Sequence, residues 1–193
     1  MRVITGSAKG RTLLSAPGEG TRPITDRVKS ALFSILNAQT MIVGRRYLDL
    51  FGGTGAVGIE ALSRGAAEVV FCERDPAAVR VLRHNLALAG VAERARVVVG
   101  DAFGYLARPD LTAFDVIYIA PPQYRGLWLR ALRDVDGRPG LLTADGLVIV
   151  QIFPKEWTEP ELTQLILCDQ RRYGSTALHF FAQPGGRHAE DHS

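Results

Sequence analysis

Tyr47-Leu48-Asp49-Leu50-Phe51-Gly52-Gly53-Thr54-Gly55-Ala56-Val57-Gly58 passes from an apolar run through a glycine-dense turn into a helical pattern. A buried strand is expected to end here, at a loop whose backbone passes close to a ligand. Gly53-x-Gly55-x-x-Gly58 has the spacing of nucleotide-type binding turns. Glycine allows positive φ and removes the Cβ that would block such a ligand. The spacing alone does not say which ligand the turn serves.

Outward from this stretch, strands and helices alternate. A strand over 47–51 leads to a helix over 55–64 and a stop at Gly65. A second strand, 69–73, leads to a helix over 76–89 that ends at Gly90. Strands follow over 96–99 and 114–119, then a helix over 126–134 and a strand over 146–152. A helix over 159–167 and strands over 169–173 and 176–182 close the pattern. Such alternation predicts an α/β fold with a mostly parallel sheet covered on both faces. Upstream, 2–5 and 11–15 read as a short hairpin turning at Gly6 and Gly10. A helix capped by Thr25 or Asp26 presents Val28, Leu32, Ile35 and Leu36 on one face. The expected organisation is a basic hairpin extension over 1–24, a ligand-binding domain over 25–183, and a disordered polar tail over 184–193.

At 193 residues with 47% hydrophobic and 22% charged residues, the chain can bury one core without staples. No window approaches the roughly 18 uninterrupted apolar residues of a membrane span, and the N-terminus has no signal-peptide pattern. Cys72 and Cys168 lie far apart in apolar runs and read as reduced core residues of a cytoplasmic protein. His84, His179, His188 and His192 show no ligand spacing, so no metal is expected. Residues 1–30 carry Arg2, Lys9, Arg11, Arg22, Arg27 and Lys29 against Glu19 and Asp26, a local +4 in a chain of net +3. That asymmetry fits either a polyanion partner or a solvated basic surface.

In parallel sheets the strand ends are where ligands bind. Glu73 ends the second strand and can accept from both hydroxyls of a ribose. Asp101 ends the third; it suits either an adenine amine or the cap of a following helix. Asp49 lies inside an apolar strand, where an unpaired carboxylate is costly. It either braces the glycine turn or faces a cationic group. A cationic, phosphate-free adenosine ligand fits an aspartate there better than a pyrophosphate does, which favours S-adenosylmethionine over a dinucleotide. After the fourth strand comes Ala120-Pro121-Pro122-Gln123-Tyr124. Consecutive prolines remove two backbone donors and hold carbonyls rigid to accept from a substrate amine. An adjacent aromatic can stack on an extruded base.

The stretch Tyr47 to Ala66 resembles motif I of the RsmD-type 16S ribosomal RNA guanine-N2 methyltransferases. Arg22 to Phe33 is similar to that family's N-terminal signature, and Arg2 to Gly6 with Lys9 to Leu13 to its opening hairpin. The resemblance runs from Arg2 to about Gln151. It implies a class I methyltransferase sheet, Rossmann-like with an antiparallel last strand, and S-adenosylmethionine as methyl donor. It implies Asp49 and Gly52, Gly53, Thr54 and Gly55 at the amino acid end, Glu73 at the ribose, and Asp101 with Ala102 at the adenine. Phe51, Arg74 and Phe103 complete the expected cofactor set. The implied acceptor is one guanine amine of 16S rRNA, free or in a 30S assembly intermediate, gripped by Arg2, Lys9, Arg11, Arg22 and Arg27. A monomer is expected. One departure stands out: the family's motif is an acid or amide, two prolines and an aromatic, whereas here Ala120 replaces the acid and Gln123 separates Pro122 from Tyr124. The expected catalytic set is therefore Ala120, Pro121, Pro122, Gln123 and Tyr124. The Pro121 carbonyl accepts from the amine, and the Gln123 amide oxygen partly substitutes for the acid. Amino-methylation of DNA or another RNA, or a non-catalytic cofactor- and RNA-binding relic, are the alternatives. A small-molecule methyltransferase leaves the basic N-terminus unexplained, and a nicotinamide oxidoreductase leaves the Pro-Pro turn unexplained.

Overall fold

The computed structural model describes residues 1–15 and 24–189. Among the described residues seven strands form one sheet: β1 (Arg46–Asp49), β2 (Glu68–Glu73), β3 (Ala95–Val99), β4 (Phe114–Ile119), β5 (Leu142–Ile152), β6 (Ile166–Tyr173) and β7 (Thr176–Ala182). Five α-helices accompany it: α1 (Asp26–Ala38), α2 (Ala56–Ser63), α3 (Pro76–Ala89), α4 (Ala102–Leu106) and α5 (Leu127–Asp136). The strand order is β3-β2-β1-β4-β5-β7-β6, parallel through β5 and antiparallel where β7 pairs with β5 and β6. The order reverses between β1 and β4, which opens a crevice at their carboxyl ends.

Both faces are covered, which is why the central strands read as unbroken apolar runs. Tyr47, Phe71, Val116, Tyr118 and Ile149 pack with α1, α2 and α3. Leu48, Val70, Ile117, Ile119 and Val150 pack with α4 and α5 on the other face. The helix ends follow local chemistry. Thr25 caps α1 by accepting from the Val28 amide, Asp75 caps α3 ahead of Pro76, and Gly90 closes α3 in the left-handed region.

Three sequence expectations need correction. The N-terminal hairpin shrinks to one antiparallel bridge, Arg2 to Thr12, and the segment is clamped to the domain rather than extended from it. Val3, Ala8 and Leu13 join the core, and the Ile4 and Thr5 amides donate to Glu60 at 2.8 and 3.0 Å. A Cβ on Gly6 would lie 1.8 Å from the Ser63 carbonyl oxygen, so only glycine allows this approach. The expected helix over 159–167 is absent. The buried Asp136 carboxylate draws in the Thr163, Gln164 and Leu165 amides at 2.8 Å each, holding 163–165 as a loop that feeds β6. Of the expected disordered tail, 184–189 pack on the domain: the Arg187 amide donates to Asp145 at 3.0 Å, and His188 is buried; 190–193 lie outside the described residues.

Candidate active site

A cavity of about 640 Å³ opens at the carboxyl ends of β1, β2, β4 and β5. It is of the size that takes a small organic ligand. The glycine turn forms one wall, and its glycines serve different ends. Gly53 has φ +51°, and a Cβ there would meet only the Phe51 carbonyl oxygen at 3.9 Å, so its backbone can meet a ligand. Gly55 has φ +88°, and a Cβ there would come within 2.5 Å of Leu82. A Cβ on Gly58 would lie 2.2 Å from the Phe71 ring. Gly58 thus lets α2 lie against β2 and is a packing residue.

Glu73 fixes the turn. Its carboxylate accepts from the Gly53 amide and from the Asp75 amide, both at 2.8 Å. From behind, the buried Asn85 donates to the Thr54 carbonyl at 3.0 Å and exchanges two hydrogen bonds with the Leu14 backbone. The N-terminal segment is thereby tied to the same turn. Asp49 lines the cavity with 4% of its surface exposed, and its Oδ1 has no hydrogen-bond partner. Burial pushes this carboxyl up to about 7; the Gly58 and Phe51 backbone amides oppose the rise and the Glu73 charge adds to it. A lone buried carboxylate of this kind is suited to a cation.

Gly52, Thr54, Arg74, Asp101, Ala102 and Phe103 reach the cavity as well. Asp101 caps α4 through the Gly104 amide at 3.0 Å, which leaves its other oxygen for a ligand. Phe51 and Phe103 meet edge to face at 6.3 Å, and the Arg130 guanidinium lies 3.8 Å over the Phe103 ring.

Beyond the end of β4, Ala120, Pro121, Pro122 and Gln123 line the cavity. Tyr124 corrects an expectation. It has φ +58°, is 69% exposed, and lies outside the cavity wall. The extra residue Gln123 takes the inward place after the prolines and turns Tyr124 out. Its ring stacks on Phe153 at 5.5 Å, and Phe153 itself lines the cavity. The Glu156 carboxylate holds both: it accepts from the Tyr124 amide at 2.7 Å and from the Phe153 amide at 3.3 Å. Sequence reasoning missed Phe153, Tyr118 and Gln151. The signal available was their place at the carboxyl ends of β4 and β5.

The basic set divides. Arg2, Lys9 and Arg27 are exposed, while the exposed Arg11 donates to the Leu88 carbonyl. Arg27 follows Thr25 and precedes Val28, both cavity residues. Lys29, counted in the basic cluster, contributes nothing to the surface: it is fully buried, 3.3 Å from Glu60. Burial lowers its ammonium below the usual range, and Glu60 opposes that. Arg22 lies outside the described residues. Among the described residues no His, Cys, Asp or Glu cluster could hold a metal ion, and no helix is long and apolar enough to cross a membrane.

The family model described as Conserved hypothetical protein 95 matches residues 1–182. The chain belongs to that family. Ribosomal RNA small subunit methyltransferase D of Escherichia coli (strain K12) is 38% identical over 151 residues, 78% of this chain and 74% of that protein. YlbH of Bacillus subtilis (strain 168) is 36% identical over 188 residues, 96% of this chain and 100% of that protein. The solved structure of yhhF from Escherichia coli superposes with a TM-score of 0.81 at 34% identity, covering 95% of this chain and 97% of that one. The fold and the family's breadth of match therefore agree with the class I methyltransferase sheet expected from the sequence.

Proposed function

We propose that the protein is an S-adenosylmethionine-dependent methyltransferase that modifies a guanine N2 amine of 16S rRNA during small-subunit maturation. The observation that carries this reading is Asp49: a buried carboxylate with an unpartnered oxygen, beside a glycine turn, in a cavity of cofactor size. It provides for a cationic amino acid end. Gly52, Gly53 and Thr54 supply close backbone around it, while the expected Gly55 lies outside the cavity lining and packs toward Leu82 and Ile59. Glu73 has lone pairs left for ribose hydroxyls after holding Gly53 and Asp75. Asp101 and Ala102 take the adenine edge, and Phe51, Arg74 and Phe103 enclose it. The name of the Escherichia coli relative supports the RNA acceptor.

S-adenosylmethionine, when bound, supplies an electrophilic sulfonium methyl. Asp49, Gly52, Gly53, Thr54, Glu73 and Asp101 would hold it so that the guanine N2 lone pair takes that methyl, the S–C bonding pair leaving with the thioether. The N-protonated product is strongly acidic and sheds its proton to water. The chain's task is positioning. The Pro121 carbonyl accepts from the amine, Phe153, backed by the Tyr124 ring, stacks on the extruded base, and Arg2, Lys9, Arg11, Arg22 and Arg27 hold phosphates. The enzyme acts in the cytoplasm as a monomer on 16S rRNA or a 30S assembly intermediate.

Radiolabelled methyl transfer with 30S particles, naked 16S rRNA and DNA as acceptors tests the reading. Label in N2-methylguanosine of 16S rRNA is the expected result. Label on DNA alone, or none with cofactor bound, overturns it.

A further inference from the structure

We propose that Gln151, held by Tyr118, orients the acceptor amine at the place where Ala120 offers no polar atom. This rests on the methyl-transfer reading above and replaces the Gln123 assignment suggested by sequence.

Sheet register brings the two residues together. In the β4–β5 pair Ile119 stands opposite Val150, so Ala120 and Gln151 are the next neighbours, side by side at the carboxyl ends of parallel strands. Neighbours in register project from the same face. Tyr118, two residues before Ala120, shares that face, and so does Asp49, its partner on β1. Asp49, Tyr118, Ala120 and Gln151 thus form a row across three strands, and all four line the cavity. Only Ala120 in this row lacks a polar side chain.

The Tyr118 hydroxyl donates to Gln151 Oε1 at 2.5 Å. Tyr118 is fully packed, and burial together with the Asp49 charge raises its hydroxyl well above its ordinary range, so it stays a donor. That bond uses one lone pair of the carboxamide oxygen. A second lone pair and both amide hydrogens remain. Guanine presents N2–H beside the acceptor N3, and one carboxamide complements both. Accepting from N2–H turns the amine and favours a nitrogen lone pair aimed at the methyl group. A carboxamide does not take a proton at neutral pH, so Gln151 orients the amine and the proton still leaves to water. Gln123 also reaches the cavity, but from the loop after two prolines, whereas Gln151 is set by the sheet and by a buried donor.

The test is single-turnover methyl transfer to the acceptor that proves active, with cofactor affinity and melting temperature measured on the same samples. Gln151→Leu is expected to slow transfer about 10- to 150-fold, the loss of one hydrogen bond to a group developing charge. Cofactor affinity stays within about twofold. Tyr118→Phe frees the carboxamide and slows transfer less, about 3- to 10-fold. Adding Ala120→Asp to Gln151→Leu restores an acceptor at the same place and recovers at least about tenfold of the lost rate. Gln123→Ala is expected to slow transfer less than Gln151→Leu. A Gln151→Leu protein at the wild-type rate overturns the assignment, and so does one whose loss follows cofactor affinity or melting temperature and is untouched by Ala120→Asp. Failure of the underlying reading looks different: the wild-type protein itself yields no N2-methylguanosine.

Discussion

The carboxyl ends of β1 and β2 and those of β4 and β5 face one cavity, yet they are built on different rules. The first pair is a backbone device. Glu73 pins the Gly53 and Asp75 amides, the Gly52 amide donates to the Cys72 carbonyl at 2.8 Å, and Asn85 grips the Thr54 carbonyl. The second pair is a side-chain device: two prolines, a stacked Tyr124–Phe153 pair, and a Tyr118–Gln151 hydrogen bond. A backbone device tolerates few residue types and leaves a spacing in the sequence. A side-chain device can be rebuilt from a neighbouring strand, so an alanine at the motif's first position does not by itself empty the site.

The largest expected effect probes the charge at the centre of the first half. Asp49 has an ordinary carboxyl value of 3.8 and a folded value of about 7. Between those values the folded protein holds a proton that the unfolded chain has released, so the Asp49 contribution to stability without ligand falls as pH rises from about 4 to 7 and then levels, against an opposite slope from His179, whose imidazole burial lowers to about 4. The loss is on the order of 4 kcal/mol. Asp49→Asn should remove this slope in chemical denaturation across pH 4–8. For the same reason, binding of a cationic cofactor should tighten from pH 6 to 8 in the wild type and lose that dependence in Asp49→Asn. Superimposable wild-type and Asp49→Asn profiles would sink the assignment.

Next in size, Glu73→Ala should weaken cofactor binding about 100-fold, because the turn loses its carboxylate brace and the ribose its acceptor. Calorimetry reads this directly, and an unchanged affinity would show that the turn holds itself. In the second half, Phe153→Ala should raise the acceptor Kd about tenfold with cofactor affinity unchanged, since one stacking surface is worth about 1–3 kcal/mol. A cofactor defect in that variant would blur the division between the two halves. The smallest effect is expected at Arg27→Gln: a shallower dependence of RNA affinity on salt, by about one unit of log–log slope. An unchanged slope would remove Arg27 from the RNA footprint.

Much of this was legible in the residues. Gly53 and Glu73 were readable because turn chemistry and strand-end placement are local. Asp49 stood out as a carboxylate in an apolar strand. Other features were not legible. Lys29 looked like surface charge until the fold placed Glu60 against it. Gly55 was expected beside the ligand, but it lies outside the cavity lining, with Leu82 and Ile59 where a Cβ would stand. Tyr124 kept the family's aromatic in the sequence, while the left-handed turn at that residue moved its ring outside the cavity.

By itself the sequence determined the alternation of strands and helices, a cap at Thr25 or Asp26, and the glycine turn, because each depends on residues within a few positions of one another. Tertiary structure alone decided the rest. Asp136 captured the amides of 163–165 and set a loop where a helix was expected. Glu60 and Ser63 drew the N-terminal segment onto α2. Parallel register set Gln151 beside Ala120, 31 positions apart in the chain. Each is a pairing of distant residues, and periodicity carries no information about which distant residues will meet.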